Sequence, residues 1–295
     1  MKSIVVVLAM AAAAGTAAAQ TADDYRGGWR TDEGEPLTYE FSIRGDRVRG
    51  ISCTRCSDAT TLAFVDGTFG PDGITFTVTH VRADGSVSSQ DRATARFDHG
   101  KLIVAGTSGA RGGRRFERVL IRDPRGPDPL AAVPVSRLPP GPPVPPGPRI
   151  GGDGPFAGGQ PYVPPGPWKR PLKESDVIGA WLGFHVGLNK QFFIIRKVGD
   201  RLRGMVCGRC DNPYTMAALD DFRLEGDTIS FSILHEDWGP GSLPFVNRAT
   251  GHVGLNEMRL TFQQDNMPPR PAGPNAGASL FGPIPIEATA GNDSR

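Results

Sequence analysis

The chain has 295 residues, enough for one large domain or for two of about 100–150 residues. Apolar residues make up 38%, below the ~45–50% of an ordinary globular protein. Together the 39 Gly and 28 Pro reach about 23%, against an average near 12%, which excludes one continuous close-packed domain. Lys+Arg 33 against Asp+Glu 31 gives a net charge of +2, so no nucleic-acid partner is expected.

At the N-terminus Lys2 heads an apolar run, residues 4–14, that closes on Ala17-Ala18-Ala19. A positive head, about ten apolar residues and an A-x-A end predict a secretory signal over residues 1–19, cut after Ala19. The run is short of the ~18 residues a membrane anchor needs, and no later stretch approaches that length. Gln20 stands where a lipoprotein would carry its cysteine. The expected location is therefore the periplasm or the medium, with no membrane insertion and an oxidising milieu.

The chain then repeats itself. Gly45-Asp46-Arg47-Val48-Arg49-Gly50-Ile51-Ser52-Cys53 matches Gly199-Asp200-Arg201-Leu202-Arg203-Gly204-Met205-Val206-Cys207, and Cys56 matches Cys210. Gly27-Gly28-Trp29 pairs with Gly179-Ala180-Trp181, His80 with His235, and Arg92-Ala93-Thr94 with Arg248-Ala249-Thr250. The spacing stays near constant, so a tandem pair of units is expected at 25–122 and 173–286; a solenoid would need more copies. Between them, residues 123–172 hold 17 of the 28 prolines and read as a semi-rigid polyproline-type linker. A Pro-rich loop at 266–278 interrupts the second unit, and 287–295 reads as a disordered tail.

Each unit is expected to be all-β. Leu37, Tyr39, Phe41 and Ile43 alternate with polar residues, as do Ile74, Phe76 and Val78, and Ile229, Phe231 and Ile233. Turn signals such as Gly45-Asp46, Asp72-Gly73, Gly199-Asp200 and Gly226-Asp227 recur at short spacing, and no helical stripe is present. About eight short strands per unit favour a closed antiparallel up-and-down barrel, which leaves no edge exposed. In the second unit the seventh strand falls at 258–263 and the eighth at 280–286. A G-x-W at the first strand (Gly27-x-Trp29, Gly179-x-Trp181) followed by a meander resembles the calycin group of lipocalins and avidin-like barrels. The resemblance implies a barrel whose Trp plugs one end.

Candidate chemistry rests on few residues. The pairs Cys53/Cys56 and Cys207/Cys210 suit a local disulfide in each unit. The alternative is metal, zinc or copper: either one four-thiolate site from Cys53, Cys56, Cys207 and Cys210 if the units pack face to face, or one site per unit from Cys53, Cys56 and His80 and from Cys207, Cys210 and His235, both histidines being inward by strand parity. A thiol–disulfide role needs a helix after the first cysteine, and Asp211-Asn212-Pro213 follows instead. Arg55, Arg92, Arg209 and Arg248 are candidate anion contacts, their alternative being a solvated strand face. His235-Glu236-Asp237 reads as a surface turn after a strand. No G-x-S-x-G, H-E-x-x-H, phosphate-loop or dinucleotide signature is present. These readings predict an exported, non-catalytic tandem barrel that binds or scaffolds. A small ligand would enter at the barrel end near the C-x-x-C turn; an envelope protein is the other candidate partner, and no cofactor is called for.

Overall fold

The computed structural model describes residues 20–56, 58–122, 170–184, 190–208, 210, 212–236, 244–255, 257–265 and 277–284. The expected signal segment, nearly all of the linker, most of the 266–278 loop, the tail and Arg209 lie outside the described residues.

Among the described residues, period-two alternation resolves into sixteen strands. Barrel 1 is made of β1 (Gly27–Thr31), β2 (Thr38–Arg44), β3 (Arg47–Cys53), β4 (Ala63–Gly70), β5 (Gly73–Val81), β6 (Val87–Asp98), β7 (Lys101–Ser108) and β8 (Arg114–Arg122). Barrel 2 is made of β9 (Gly179–Phe184), β10 (Lys190–Val198), β11 (Arg201–Cys207), β12 (Met216–Glu225), β13 (Thr228–His235), β14 (Phe245–Val253), β15 (Glu257–Gln264) and β16 (Gly277–Ile284). Each strand pairs antiparallel with its sequence neighbours. Closure comes from β1 on β8, with Trp29 opposite Arg122, and from β9 on β16, with Leu182 opposite Phe281. Gly45 and Gly199, at φ 61° and 63°, turn the β2–β3 and β10–β11 hairpins in the left-handed region that a Cβ disfavours.

Inside barrel 1, Trp29, Phe41, Ile43, Ile74, Phe76 and Leu120 are buried together; inside barrel 2, Trp181, Phe193, Ile195, Phe231, Met258 and Leu280 are. Each tryptophan is anchored in the same way. The Trp29 indole N–H donates to the Tyr25 carbonyl and the Trp181 N–H to the Val177 carbonyl, both at 2.8 Å. Tyr25 sits on a one-turn helix, α1 (Ala22–Tyr25), too short to leave a periodic trace in the sequence.

The barrels share a third core, where outward faces meet. Ile51, Leu62, Phe64 and Val81 of barrel 1 pack with Phe192, Ile194, Met205, Met216 and Leu234 of barrel 2. Each fully buried side chain of this size contributes about 1.5–3 kcal/mol. A Cβ at Gly28 would collide with the ring of Pro213, so the close approach requires glycine there.

An ion-pair quartet crosses this seam, built from equivalent residues of the two units. Arg49 reaches Asp66 of its own barrel at 2.5 Å and Asp220 of the other at 3.0 Å. Arg203 reaches Asp66 across the seam at 2.7 Å and Asp220 at 3.9 Å. Arg203 is fully buried and also donates to the Val65 carbonyl at 3.2 Å. A bulge between Asp220 and Arg223, with Asp221 at φ 56°, interrupts β12 beside the quartet. It adds one residue relative to β4, so the matching positions step from 154 apart at Asp66/Asp220 to 155 at Ile74/Ile229.

A carboxyl pair lies further along the seam. Glu236 is buried, not on a surface turn as the sequence suggests. It accepts from Ser42 Oγ and Arg44 Nη1, each at 2.6 Å, and Arg26 Nε stands 3.7 Å away. Glu40 is 1% exposed, and neither of its carboxyl oxygens has a hydrogen-bond partner. On the barrel 2 side Arg196 caps loop carbonyls of barrel 1, donating to Ala59 O at 2.8 Å and Arg82 O at 2.7 Å.

Candidate functional site

Alternation also carries polar side chains into barrel 1. At the end near the C-x-x-C turn the aromatic filling stops at Tyr39, and a cavity of about 360 Å³ opens above it. Tyr39 forms the floor, stacked on Phe41 with ring centroids 5.4 Å apart. Burial pushes its phenol up to about 12, and Ser52 hydrogen-bonds its side chain. The wall carries His80 from β5 and Asp91 from β6, with Nε2 3.1 Å from Oδ2. The second Asp91 oxygen accepts the Gly109 N–H at 2.9 Å, tying the cavity wall to the β7–β8 loop.

That loop and β8 supply the positive charge. Arg114, Phe116, Arg118 and Leu120 share the inward parity of β8, and Leu120 lies in the core. Arg118 is half-buried, with its guanidinium carbon 5.4 Å from the Phe116 ring centroid. No acceptor or carboxylate among the described residues pairs with the side chain of Arg118, Arg114 or Arg111, and all three line the cavity.

Barrel 2 departs from this pattern at the same places. Tyr39, Ser52 and Asp91 correspond to Phe193, Val206 and Asn247. Its closing strand β16 has no arginine. His235 is buried, stacked on Phe245 at 4.5 Å, with Nε2 3.3 Å from Asn247 Nδ2. Burial, with the Arg44 charge adding, pushes His235 down to about 4 and keeps it neutral.

The other sequence candidates do not converge. Cys53–Cys56 and Cys207–Cys210 are both disulfides, with Cα atoms 5.1 and 5.0 Å apart. With the four sulfurs bonded in two pairs, this structure does not gather them with His80 and His235 around an ion. His80 faces Asp91, and His235 faces Phe245 in the other barrel. Among the described residues no group of three or more His, Cys, Asp or Glu is gathered to hold an ion. The anion set is dispersed as well. Arg55 pairs with Asp58 at 2.8 Å, and Arg209 lies outside the described residues. Arg92 stands exposed on the outer face between Thr77 and Thr107, in a shallow open groove of about 830 Å³. Arg248 is exposed on β14, opposite Ser232 and Gln263. The cavity opens at the barrel end where the sequence suggests an entry, and its lining includes Tyr39, Ser52, Asp91, Arg114 and Arg118, which the sequence did not single out. The signal was the row Arg114-x-Phe116-x-Arg118-x-Leu120, in which arginines share the parity of core residues.

No protein-family model matches the chain, and no curated protein matches it. A solved structure from Nostoc punctiforme, a protein of unknown function from the DUF3598 family, is similar. It is 11% identical over 86% of this chain and 92% of that one, with a TM-score of 0.21. Two disulfides fit an oxidising environment. Among the described residues no helix is long and apolar enough to cross a membrane.

Proposed function

We propose that the protein is an exported, non-catalytic small-molecule-binding protein of calycin-like build, derived by duplication, in which barrel 1 binds and barrel 2 supports. The observation that carries this reading is the difference between equivalent positions. Barrel 1 keeps a cavity lined by Tyr39, Ser52, Asp91 and inward arginines, whereas barrel 2 has Phe193, Val206 and Asn247 at the matching places. The cavity volume lies within the ~300–1,000 Å³ of ligand pockets, and an apolar floor with a few convergent polar groups is their usual chemistry. The signal-like N-terminus and the disulfides support export. The barrel 2 face presented across the seam supports a structural role for that unit.

Val78 lines the cavity, and Ile233 is its counterpart in barrel 2. A mixture of small aromatic acids, amides and alcohols, followed by saturation-transfer NMR, is expected to show binders for the full chain. Val78→Phe, which fills the cavity, is expected to abolish their signals while the thermal midpoint is kept; Ile233→Phe is expected to leave the signals in place. Binding that survives Val78→Phe, or no binder for the unaltered chain at millimolar concentration, contradicts the reading.

A further inference from the structure

We propose that the barrel 1 cavity takes a small organic carboxylate, its anionic head on the Arg118 guanidinium and its apolar body between Tyr39 and Phe116. This rests on the reading of the cavity as a ligand site and adds the chemical class of the ligand.

Arg118 leaves β8 into the barrel and is half-buried, yet no carboxylate, carbonyl or hydroxyl among the described residues accepts from it. A guanidinium withdrawn from water needs an anion or acceptor to offset lost solvation. Asp91 makes no ion pair with Arg118; its two oxygens are turned to His80 and to the Gly109 N–H. Glu35 lines the cavity but is exposed at the rim. Arg111 and Arg114 are exposed too, so they add a favourable field at the entrance rather than a second enclosed charge.

Shape points the same way. The planar fork of arginine matches a carboxylate with two parallel hydrogen bonds. At about 30 Å³ per water-sized group, a 360 Å³ cavity holds on the order of ten non-hydrogen atoms. An inorganic anion would leave most of that space against Tyr39, Val78 and Phe116, which are apolar surfaces. A flat or short-chain body on a single carboxylate uses both the fork and the aromatic walls. Among the described residues barrel 2 shows no equivalent, and its closing strand β16 lacks arginine.

The test uses the full chain and matched pairs: benzoate against benzamide, phenylacetate against phenylacetamide, hexanoate against hexanamide, with inorganic phosphate as competitor. Binding is read by calorimetry and ligand-observed NMR. The acids are expected to bind at least tenfold more tightly than their amides. Arg118→Met is expected to remove that difference, and Arg118→Lys, which keeps the charge without the fork, to restore part of it. Thermal midpoints of both variants show that the fold is kept. Acids and amides binding equally would overturn the carboxylate class while leaving the cavity reading standing. No binding of either member of any pair would overturn both. Phosphate displacing benzoate at equal concentration would overturn the organic body.

Discussion

Replacing Arg203 with Met is expected to cost about 3–5 kcal/mol, the loss seen when one member of a buried ion pair is removed. Arg203 is fully buried and lies against both Asp66 and Asp220, across and along the seam. Without it, two carboxylates remain with Arg49 as their one enclosed cation, since Arg201 and Arg47 are about half exposed. The side chain also covers Phe64, at 5.2 Å from ring centroid to guanidinium carbon, so part of the loss is packing. Urea unfolding measures it, with the barrels followed separately by labels. Unaltered protein is expected to unfold in one transition, because Ile51 and Phe64 share a core with Ile194 and Met205. Arg203→Met is expected to shift that transition down and to separate the barrels. Removing all four charges together with apolar residues of similar volume is expected to recover most of the stability. A loss under about 1 kcal/mol for Arg203→Met, the size of an exposed pair, would show that the seam is not closed in solution.

The second large effect is pH-dependent. Glu40 and Glu236 face one another across the seam, with Arg44 and Arg26 as the cations beside Glu236 and the His235 carbonyl accepting from Arg44. Burial pushes Glu236 up to about 7, ahead of the opposing pull of Arg44, Ser42 and Arg26. Burial, and then the charge of Glu236, raise Glu40 well above an ordinary carboxyl. Both folded-state values lie above the unfolded ones, so the folded chain binds more protons and stability falls as pH rises from about 4.5. For Glu236 the change between 4.5 and about 7 is about 3 kcal/mol. His235 acts in the opposite direction. Held at about 4 against 6.5 unfolded, it costs stability at low pH and stops opposing the carboxyls above 6.5. The lowered carboxyls of Asp84 and Asp176 act below this window. Urea midpoints are therefore expected to drop from pH 6.5 to pH 8, and Glu40→Gln to be stabilised relative to the unaltered chain at pH 8 but not at pH 4.5. Midpoints that rise across that interval would contradict the seam as described.

The barrels were legible because a two-residue period is a local property. Tyr39-x-Phe41-x-Ile43 states which side faces in, and the Gly45 and Gly199 turns set the hairpins. The eighth strand of barrel 2 is legible through the template of the first unit, but it starts at Gly277, within the stretch expected as loop, and ends at Ile284. The seam was not read, although its trace was present. In β10, Phe192-Phe193-Ile194-Ile195 is apolar on both parities, the mark of a strand covered on both faces. In the sequence Arg49 and Arg203 carry no sign of their partners, because a charged residue between apolar ones is usually solvated. Only packing shows that each meets the other unit's aspartate. The cavity was half legible: His80 points inward by parity alone, whereas an unpaired Arg118 becomes informative only when every acceptor around it has been placed.

The most direct test of the division of labour between the barrels is a two-dimensional amide NMR titration of the full chain with benzoate. Shifts are expected to concentrate at residues 39, 52, 80, 91, 109 and 118, with residues 193, 206, 235 and 247 unmoved. Equal shifts at both sets, or shifts confined to the outer groove around Arg92, would contradict it.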